Sequence, residues 1–281
     1  MSIEGWKYYN HAAIPTCAPH EVPDLRPVKD GSIWNMGGGK ILFSRYTMCF
    51  DKQKETPFWY IIKDGPFVFD ELDAKYRRSV RKALERCDVK KIRPLDYAKA
   101  LWEVNKAAYN KYYNADNEQS EKEFIHELEE TTCEYWAAFS REDKTLVGWI
   151  CCNNFRDYAE TKKAKYHPDF QNLRPSDALH YVVLDHYLNE LGKRYVLSGA
   201  RNLNHKTNVQ EYEIKNWKYR RAYCDLFVEY RPSLKWIINL LYLGRSLFRR
   251  FDKLPGVHLL NSVLLQEEIV RQCSKVRIDD S

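Results

Sequence analysis

The sequence predicts a mixed α/β protein, with a mixed central sheet flanked by helices, an N-terminal arm and hairpin, and a C-terminal helical extension. Strand-like and helix-like segments alternate irregularly between residues 88 and 230, prolines crowd the N-terminus, and an apolar, basic segment follows Pro232. The 281 residues are 44% hydrophobic and 30% charged. This composition excludes collagen-like and disordered chains and allows a sizeable core.

The first 35 residues contain four of the eleven prolines, which are Pro15, Pro19, Pro23 and Pro27. Proline disfavours helix interiors and central strands, so we expect an irregular arm here. Residues 40–50 and 57–65 are rich in β-branched and aromatic side chains and are predicted to pair as a hairpin. The preceding glycines 37–39 lack a following Gly-Lys-Ser/Thr, which favours a flexible hairpin entry over a phosphate loop.

Three helices are predicted next, with one strand after the first of them. Helical periodicity spans residues 70–87 and 95–113, with a short strand between them. The third helix begins near Ser120, which forms an S-x-x-E capping box with Glu123.

Residues 133–168 show the two-residue period of strands, and helix and strand patterns then alternate up to residue 230. Residues 133–141 and 145–155 are predicted to form a hairpin, with a third strand at 158–168. Ser176 is the expected cap of an apolar helix that Gly192 ends. A strand at 194–200, a helix at 205–215 and a strand at 222–230 complete the order. A TIM barrel or a Rossmann half would alternate strand and helix strictly, so both are excluded.

Charge is unevenly distributed along the chain, whose net charge is +6. Residues 75–93 carry nine cations against two acids, and residues 233–251 carry four cations and no acid. The first segment could bind RNA phosphate, a phosphorylated acceptor or an anionic polysaccharide precursor, or could be a solvated helix face. The second suits a peripheral membrane surface, with docking against the protein's own body as the alternative.

The eight cysteines show no C-x-x-C and no paired Cys/His spacing, so no metal site is expected. Cys151 and Cys152 are predicted to be small buried hydrophobes on opposite faces of a strand. The N-terminus lacks the pattern of a secretory signal, and the longest apolar run has eight residues, too few to span a bilayer. We therefore expect a cytoplasmic protein that could touch the inner face of the membrane through residues 233–251.

The element order over about 145 residues resembles the GNAT acyltransferase fold. In that family the last helix and strand often carry Asn, a small residue, Tyr and Gly-Phe at fixed steps. Counting from His205, this chain has Asn208, Tyr212 and Asn216-Trp217 at those steps. Residues 76–92 and 58–67 also resemble FemAB-type transferases, which carry a GNAT-like domain and attach amino acids from aminoacyl-tRNA to peptidoglycan precursors.

The resemblance implies a division of the chain into three parts. Residues 1–87 would form the arm, hairpin and basic helix of an incomplete GNAT-like half. Residues 88–232 would be the GNAT-like acyltransferase domain, and residues 233–281 a C-terminal helical extension.

The resemblance also implies a binding site for the pyrophosphate of acetyl-CoA or another acyl-CoA. The family loop Gln/Arg-x-x-Gly-x-Gly/Ala corresponds to residues 171–178, which contain no glycine. Arg174 would supply positive charge, and the backbone N–H groups of Ser176, Asp177 and Ala178 would hold the diphosphate at the helix N-terminus. Pro175 removes one donor, and a Pro-Ser-Asp start is also an ordinary helix N-terminus.

For catalysis, the resemblance places Tyr212 beside the thioester sulfur as the acid that protonates the departing thiolate. Glu160, on the third central strand, and His167, near the end of that strand, are the candidate bases, and His205 could line the pocket. For Tyr212 the structural alternative is a tyrosine that packs between helix and sheet, and for Glu160 it is an exposed pairing with neighbouring lysines. His180, one turn into the apolar helix, is expected to be a satisfied core histidine.

These observations predict an N-acyltransferase that moves an acyl group from acyl-CoA to an amine acceptor such as a cell-envelope glycan or peptide precursor. Two alternatives remain open at this point. The donor could be aminoacyl-tRNA, or the chain could be a non-catalytic protein that binds an anionic glycan or a membrane surface.

Overall fold

The computed structural model describes residues 2–112, 119–202, 208–252, 254 and 256–278. The chain forms two compact units. Unit 1 comprises Met1–Tyr60, Ala200–Thr207 and Arg221–Ser281, and unit 2 comprises Ile61–Gly199 and Asn208–Arg220. Each unit is thus assembled from separate stretches of chain, whereas the three-part division at residues 87 and 232 follows the chain order and stays a prediction.

Unit 1 contains the arm, part of the sheet and the C-terminal helices. Its elements are β1 (Trp6–Tyr9), β2 (Ala12–Pro15), α1 (Arg26–Lys29), β3 (Phe43–Lys52), the start of β4 (Trp59–Asp64), most of β10 (Arg220–Tyr230), α7 (Pro232–Leu243), α8 (Arg245–Arg250) and α9 (Val257–Ile278).

The prediction of an irregular arm is wrong in its first part, because β1 and β2 form an antiparallel hairpin with Tyr9 opposite Ala12. The two loop residues, Asn10 and His11, have φ values of 45° and 63°. Two positive φ values belong to a type I′ turn, whose twist suits paired strands. Pro15 is compatible with this hairpin because it ends β2.

The predicted hairpin between residues 40–50 and 57–65 is also wrong. Both segments are strands, but β3 pairs antiparallel with β10, which lies between β3 and β4 in the sheet order. Tyr46 and Phe227 stack across this pair with ring centroids 5.2 Å apart. Periodicity identifies a strand but does not identify its partner, and here the partner is about 180 residues away.

Unit 2 contains the remaining strands and the helices that surround them. Its elements are the end of β4, α2 (Ala74–Arg86), β5 (Cys87–Ile92), α3 (Ala98–Tyr112), α4 (Glu121–Glu130), β6 (Glu134–Ser140), β7 (Leu146–Asn154), β8 (Tyr158–Tyr166), α5 (Pro175–Leu184), β9 (Tyr195–Ala200) and α6 (Val209–Trp217).

The sheet of unit 2 is mixed, which confirms the predicted fold class. Strands β5, β6, β7 and β8 pair antiparallel in sequence order, and β9 then pairs parallel with β8. The segment containing α5 makes the crossover that a parallel pair requires. Buried side chains of α3 and α4, including Leu101 and Phe124, pack with Trp149 of β7 in one hydrophobic cluster.

Local helix signals are mostly confirmed. The Ser120–Glu123 capping box is present with both hydrogen bonds. Gly192 has a φ of 61° after the apolar helix, as a C′ glycine should. Ser176 is not the cap of α5, however, because the helix begins at Pro175 and Arg174 is its N-cap. Proline suits the first helical position, where a missing N–H costs nothing.

Among the described helices, none combines the length and the apolar character that crossing a membrane requires.

Candidate functional site

A cavity of about 450 Å³ in unit 2 lies beside the N-terminus of α5. Helices α2, α5 and α6 and the 3₁₀ turn Pro168–Leu173 supply its lining, which consists of Lys82, Arg86, Gln171, Asn172, Arg174, Ser176, Asp177 and Tyr212. The fold thus brings four of the predicted site residues together: Arg174, Ser176, Asp177 and Tyr212.

The other predicted residues are not part of this lining. Ala178 is fully buried in α5. Glu160 accepts a hydrogen bond from the Asn153 side chain at 2.9 Å, and Asn153 in turn accepts one from Cys133, a member of the cluster that α3 and α4 cover. His205 lies outside the described residues.

Asp177 is the centre of a hydrogen-bond network at the base of the cavity. Its side chain is 4% exposed. Oδ1 accepts hydrogen bonds from the hydroxyls of Tyr76 at 2.7 Å and Tyr212 at 3.0 Å, and Oδ2 accepts one from Ser79 at 2.9 Å. The Arg174 guanidinium lies 3.5 Å from Oδ2. These donors explain how a carboxylate can be buried next to a site expected to hold an anion.

The hydroxyls of Tyr76 and Tyr212 also contact each other at 2.7 Å. These three contacts share two hydroxyl hydrogens, and either tyrosine can be the donor to the other. When Tyr76 donates to the Tyr212 oxygen, the hydrogen of Tyr212, which lines the cavity and is 39% exposed, is available to a bound molecule. Burial, and to a smaller extent the Asp177 carboxylate, raise the pKa of Tyr212 to about 12. Tyr212 is consequently protonated at neutral pH, as a hydrogen-bond donor must be.

The backbone at the start of α5 offers fewer free donors than the sequence predicts. The N–H groups of Asp177 and Ala178 both donate to the Arg174 carbonyl, at 3.0 and 3.3 Å. Among the three amides expected to hold a diphosphate, only that of Ser176 remains without a backbone carbonyl within the described part of the chain. Two of the three expected amides thus already have a carbonyl partner, and the cofactor-binding role of these residues stays a prediction.

Side-chain cations from α2 occupy the opposite wall of the cavity. Lys82 and Arg86 are exposed there, and Arg86 donates to the Asn172 carbonyl at 2.8 Å. The basic helix and the candidate catalytic tyrosine thus share one cavity, which periodicity and charge counting do not reveal.

Tyr76 and Ser79 are the main residues that sequence reasoning missed. Their one sequence signal is their position three residues apart on α2, beside the buried Val80 and Ala83. Polar side chains next to a buried stripe need partners, and Asp177 of α5 is that partner.

A second buried carboxylate lies behind the cavity and joins α5 to α6. Glu213, which is 3% exposed, accepts a hydrogen bond from Ser198 at 2.7 Å and lies 3.7 Å from Nε2 of His180. The other ring nitrogen of His180 is 2.9 Å from the Ser176 carbonyl, and its ring stacks on Trp217. His180 is thus a satisfied core histidine.

Cys151 and Cys152 are both buried in β7. Burial raises the pKa of Cys152 to about 12, so this thiol stays protonated and unreactive at neutral pH. Across the described residues, no cluster of three or more His, Cys, Asp or Glu side chains is placed to hold a metal ion.

Comparison with known proteins identifies the fold. Neither a family model nor a curated protein matches the sequence. Among solved structures, FemX covers 83% of this chain and 85% of its own, at 11% identity and a TM-score of 0.57. L-PGS from Bacillus licheniformis covers 87% of this chain and 85% of its own, at 10% identity and a TM-score of 0.50.

Both matches cover more of the chain than the predicted acyltransferase domain at residues 88–232 contains. The chain has the GNAT-like fold of FemAB-type proteins.

Proposed function

We propose that unit 2 is an acyltransferase, in which the cavity beside α5 holds an acyl donor and the acyl group passes to an amine. One observation carries this proposal: cationic side chains (Lys82, Arg86 and Arg174) and a protonated tyrosine line the same cavity. The amine acceptor that the FemAB resemblance suggests is a cell-envelope glycan or peptide precursor.

The donor's phosphates would bind on the basic side of the cavity. Arg174 and Lys82 provide charge from two helices, and the Ser176 amide points out of the positive end of α5. Charge-assisted hydrogen bonds of this kind are about twice as strong as neutral ones. Acyl-CoA, whose pyrophosphate fits such a site, is the donor we favour.

In the proposed reaction the amine nitrogen attacks the thioester carbonyl directly, and no covalent enzyme intermediate forms. A C–N bond forms, the C–S bond breaks, and the proton lost by the amine balances the proton taken up by the thiolate. Tyr212 donates its hydroxyl hydrogen to the departing sulfur, and Tyr76, whose hydroxyl lies 2.7 Å away, donates to the Tyr212 oxygen. Glu160 and His167 are the sequence-derived candidates for the base, with His205 as a candidate for the pocket lining, and Glu160 would need a path from the opposite side of β8.

Donor binding is tested by titrating acetyl-CoA and longer acyl-CoAs into the protein by calorimetry. Arg174→Ala and Lys82→Ala should each weaken binding about tenfold, the loss expected for one charge-assisted hydrogen bond. The matched control is Arg78→Ala, an exposed cation of α2 that does not line the cavity. Absence of binding by the unsubstituted protein, or equal loss in the control, contradicts the acyl-CoA assignment.

The role of Tyr212 is tested with Tyr212→Phe once an acceptor supports turnover. Loss of a general acid lowers kcat by about 10²–10⁴-fold, with donor affinity preserved. Tyr181→Phe on α5, outside the cavity lining, is the control. An unchanged kcat in Tyr212→Phe contradicts this role.

One observation favours a second candidate donor, aminoacyl-tRNA. Exposed cations continue along α2 away from the cavity, including Lys75, Arg78 and Arg81. A longer polyanion could engage these residues together with Lys82 and Arg86. The logarithm of tRNA affinity should then fall linearly with the logarithm of salt concentration, and Arg78→Ala should reduce the slope by about one. A flat salt dependence, or no tRNA binding, contradicts this donor.

A further inference from the structure

Large apolar side chains form an exposed stripe along α7, α8 and the turn that follows. Its members are Trp236, Leu240, Leu243, Leu247, Phe251 and Leu254, which are between 50% and 80% exposed. Within α7 the steps are four and three residues, so Trp236, Leu240 and Leu243 fall on one side of that helix, whereas Leu247 lies in α8 and Phe251 and Leu254 follow it. We call this set the apolar stripe.

Other residues of the same helices contact α9. Arg245 is buried and pairs with Glu268, and Arg271 donates to the Asn239 side chain at 2.7 Å. The Asn261 side chain donates to the Phe248 carbonyl at 3.1 Å. Docking on the protein's own body, the alternative weighed from the sequence, therefore accounts for the inner face and leaves the apolar stripe uncovered.

Exposed cations accompany the stripe. Lys235, Arg249 and Arg250 are exposed, while residues 232–251 contain no acid. Arg245, counted among the cations of this segment from the sequence, is neutralised by Glu268. Asp252 is the nearest acid that follows, and its carboxylate is engaged by Asn261 and His258.

We propose that the apolar stripe is a membrane-surface anchor that lies in the interface of an anionic bilayer. Trp, Leu and Phe on one face of a short helix pair, flanked by Lys and Arg, are the composition of interfacial helices. The apolar side chains enter the boundary between headgroups and acyl chains, and the three cations meet lipid phosphates.

Charge argues for this occupant over a second copy of the chain. A two-fold contact through the stripe would be isologous and would bring Lys235, Arg249 and Arg250 toward the same cations of the other copy. Repulsion between like charges opposes that contact, whereas an anionic lipid surface complements it. The inference does not depend on the acyltransferase proposal, because no residue of the stripe lines the cavity of unit 2.

Vesicle co-sedimentation tests the proposal with the full chain. The protein is mixed with vesicles of phosphatidylcholine alone or of phosphatidylcholine with phosphatidylglycerol. We expect partitioning onto the anionic vesicles, weakened about tenfold or more by Leu240→Ser with Leu243→Ser. Arg249→Glu with Arg250→Glu should abolish the preference for anionic over neutral vesicles. The control is Val22→Ser, which alters an apolar side chain that is 73% exposed elsewhere in unit 1.

Each outcome of this experiment is decisive. The substituted leucines are exposed, so the variants should keep the far-UV circular dichroism spectrum and melting temperature of the parent. Failure of the parent protein to bind anionic vesicles overturns the proposal, as does equal binding by the leucine variant. Dimerisation in the absence of lipid that Leu240→Ser disrupts would show that a second copy occupies the stripe, which also overturns it.

Discussion

At the scale of single residues, the candidate site depends on one buried carboxylate. Asp177 receives hydrogen bonds from Tyr76, Ser79 and Tyr212, which come from two other helices. A buried acceptor without donors would cost about 1–3 kcal/mol. The network therefore serves stability and at the same time holds the hydroxyl of Tyr212 at the cavity wall.

We expect Asp177→Asn to lower the free energy of unfolding by about 1–3 kcal/mol, because the new amide presents a donor to hydroxyls that are already donors. Urea denaturation measures this loss. Asp169→Asn, in the exposed turn before α5, should change stability little. Equal stability of the two variants would contradict the network.

The raised pKa of Tyr212 predicts that Tyr212→Phe and the parent protein lose stability to different extents at alkaline pH. Below pH 10, the ordinary pKa of tyrosine, the hydroxyl is protonated in both the folded and unfolded states and contributes no pH dependence. Above pH 10 the unfolded state loses the proton first, so the free energy of unfolding falls as the pH rises to the folded pKa of about 12. At higher pH this group causes no further loss. The free energy of unfolding of Tyr212→Phe should fall less steeply than that of the parent between pH 10 and 12. Parallel curves would show that Tyr212 titrates normally.

At the scale of elements, the helix termini show how local sequence determines structure. Ser120 caps α4 by accepting from the Glu123 N–H at 3.3 Å, and the Glu123 carboxylate accepts from the Ser120 N–H at 2.8 Å. The start of α5 differs, because Arg174 adopts a left-handed conformation without a side-chain cap. Local sequence did not reveal this conformation.

The capping box predicts that Ser120→Ala lowers the free energy of unfolding by about 1 kcal/mol. The loss comes from an N–H at the start of α4 that no longer has a partner. Lys122→Ala, an exposed change in the same turn, is the control and should have a small effect. Guanidinium denaturation of the three proteins gives the comparison, and an unaltered midpoint for Ser120→Ala would contradict the role of the cap.

At the scale of the whole molecule, the chain leaves unit 2 after Gly199 and returns at Asn208 to add α6. This returning segment supplies Trp217, which is fully buried and contacts the rings of Tyr76 and His180. It also supplies Tyr212 to the cavity. Unit 2 can therefore complete its core and its candidate site only after the chain has passed through residues of unit 1.

Trp217→Ala should therefore lower the free energy of unfolding by about 3–5 kcal/mol, the range for a large aromatic side chain removed from a core. Trp236→Ala removes the same side chain from a position that is 63% exposed and should cost little. Thermal and chemical denaturation of both variants provide the test. Similar losses in the two would contradict the central position of α6.

Local patterns were sufficient for most elements of unit 2 and for the hairpin of β6 and β7, because their partners are near in sequence. They failed for the β1–β2 hairpin, whose turn depends on positive φ at Asn10 and His11, and for β3, whose partner is β10. For the candidate site, the family resemblance supplied Tyr212 and the α5 N-terminus. It could not supply Tyr76, Ser79, Lys82 and Arg86, because α2 had no sequence feature that linked it to α5.

Local sequence was enough to predict the types of most elements, the capping of α4 and the concentration of charge in two segments. These properties depend on residues a few positions apart, where periodicity and side-chain chemistry act directly. Tertiary structure alone decided that Tyr76 meets Asp177, 101 residues away, and that the basic helix shares a cavity with Tyr212. It also decided which side of α7 and α8 stays exposed. Such contacts depend on the packing of the whole chain, because the neighbours of a helix face come from elements that are distant in sequence.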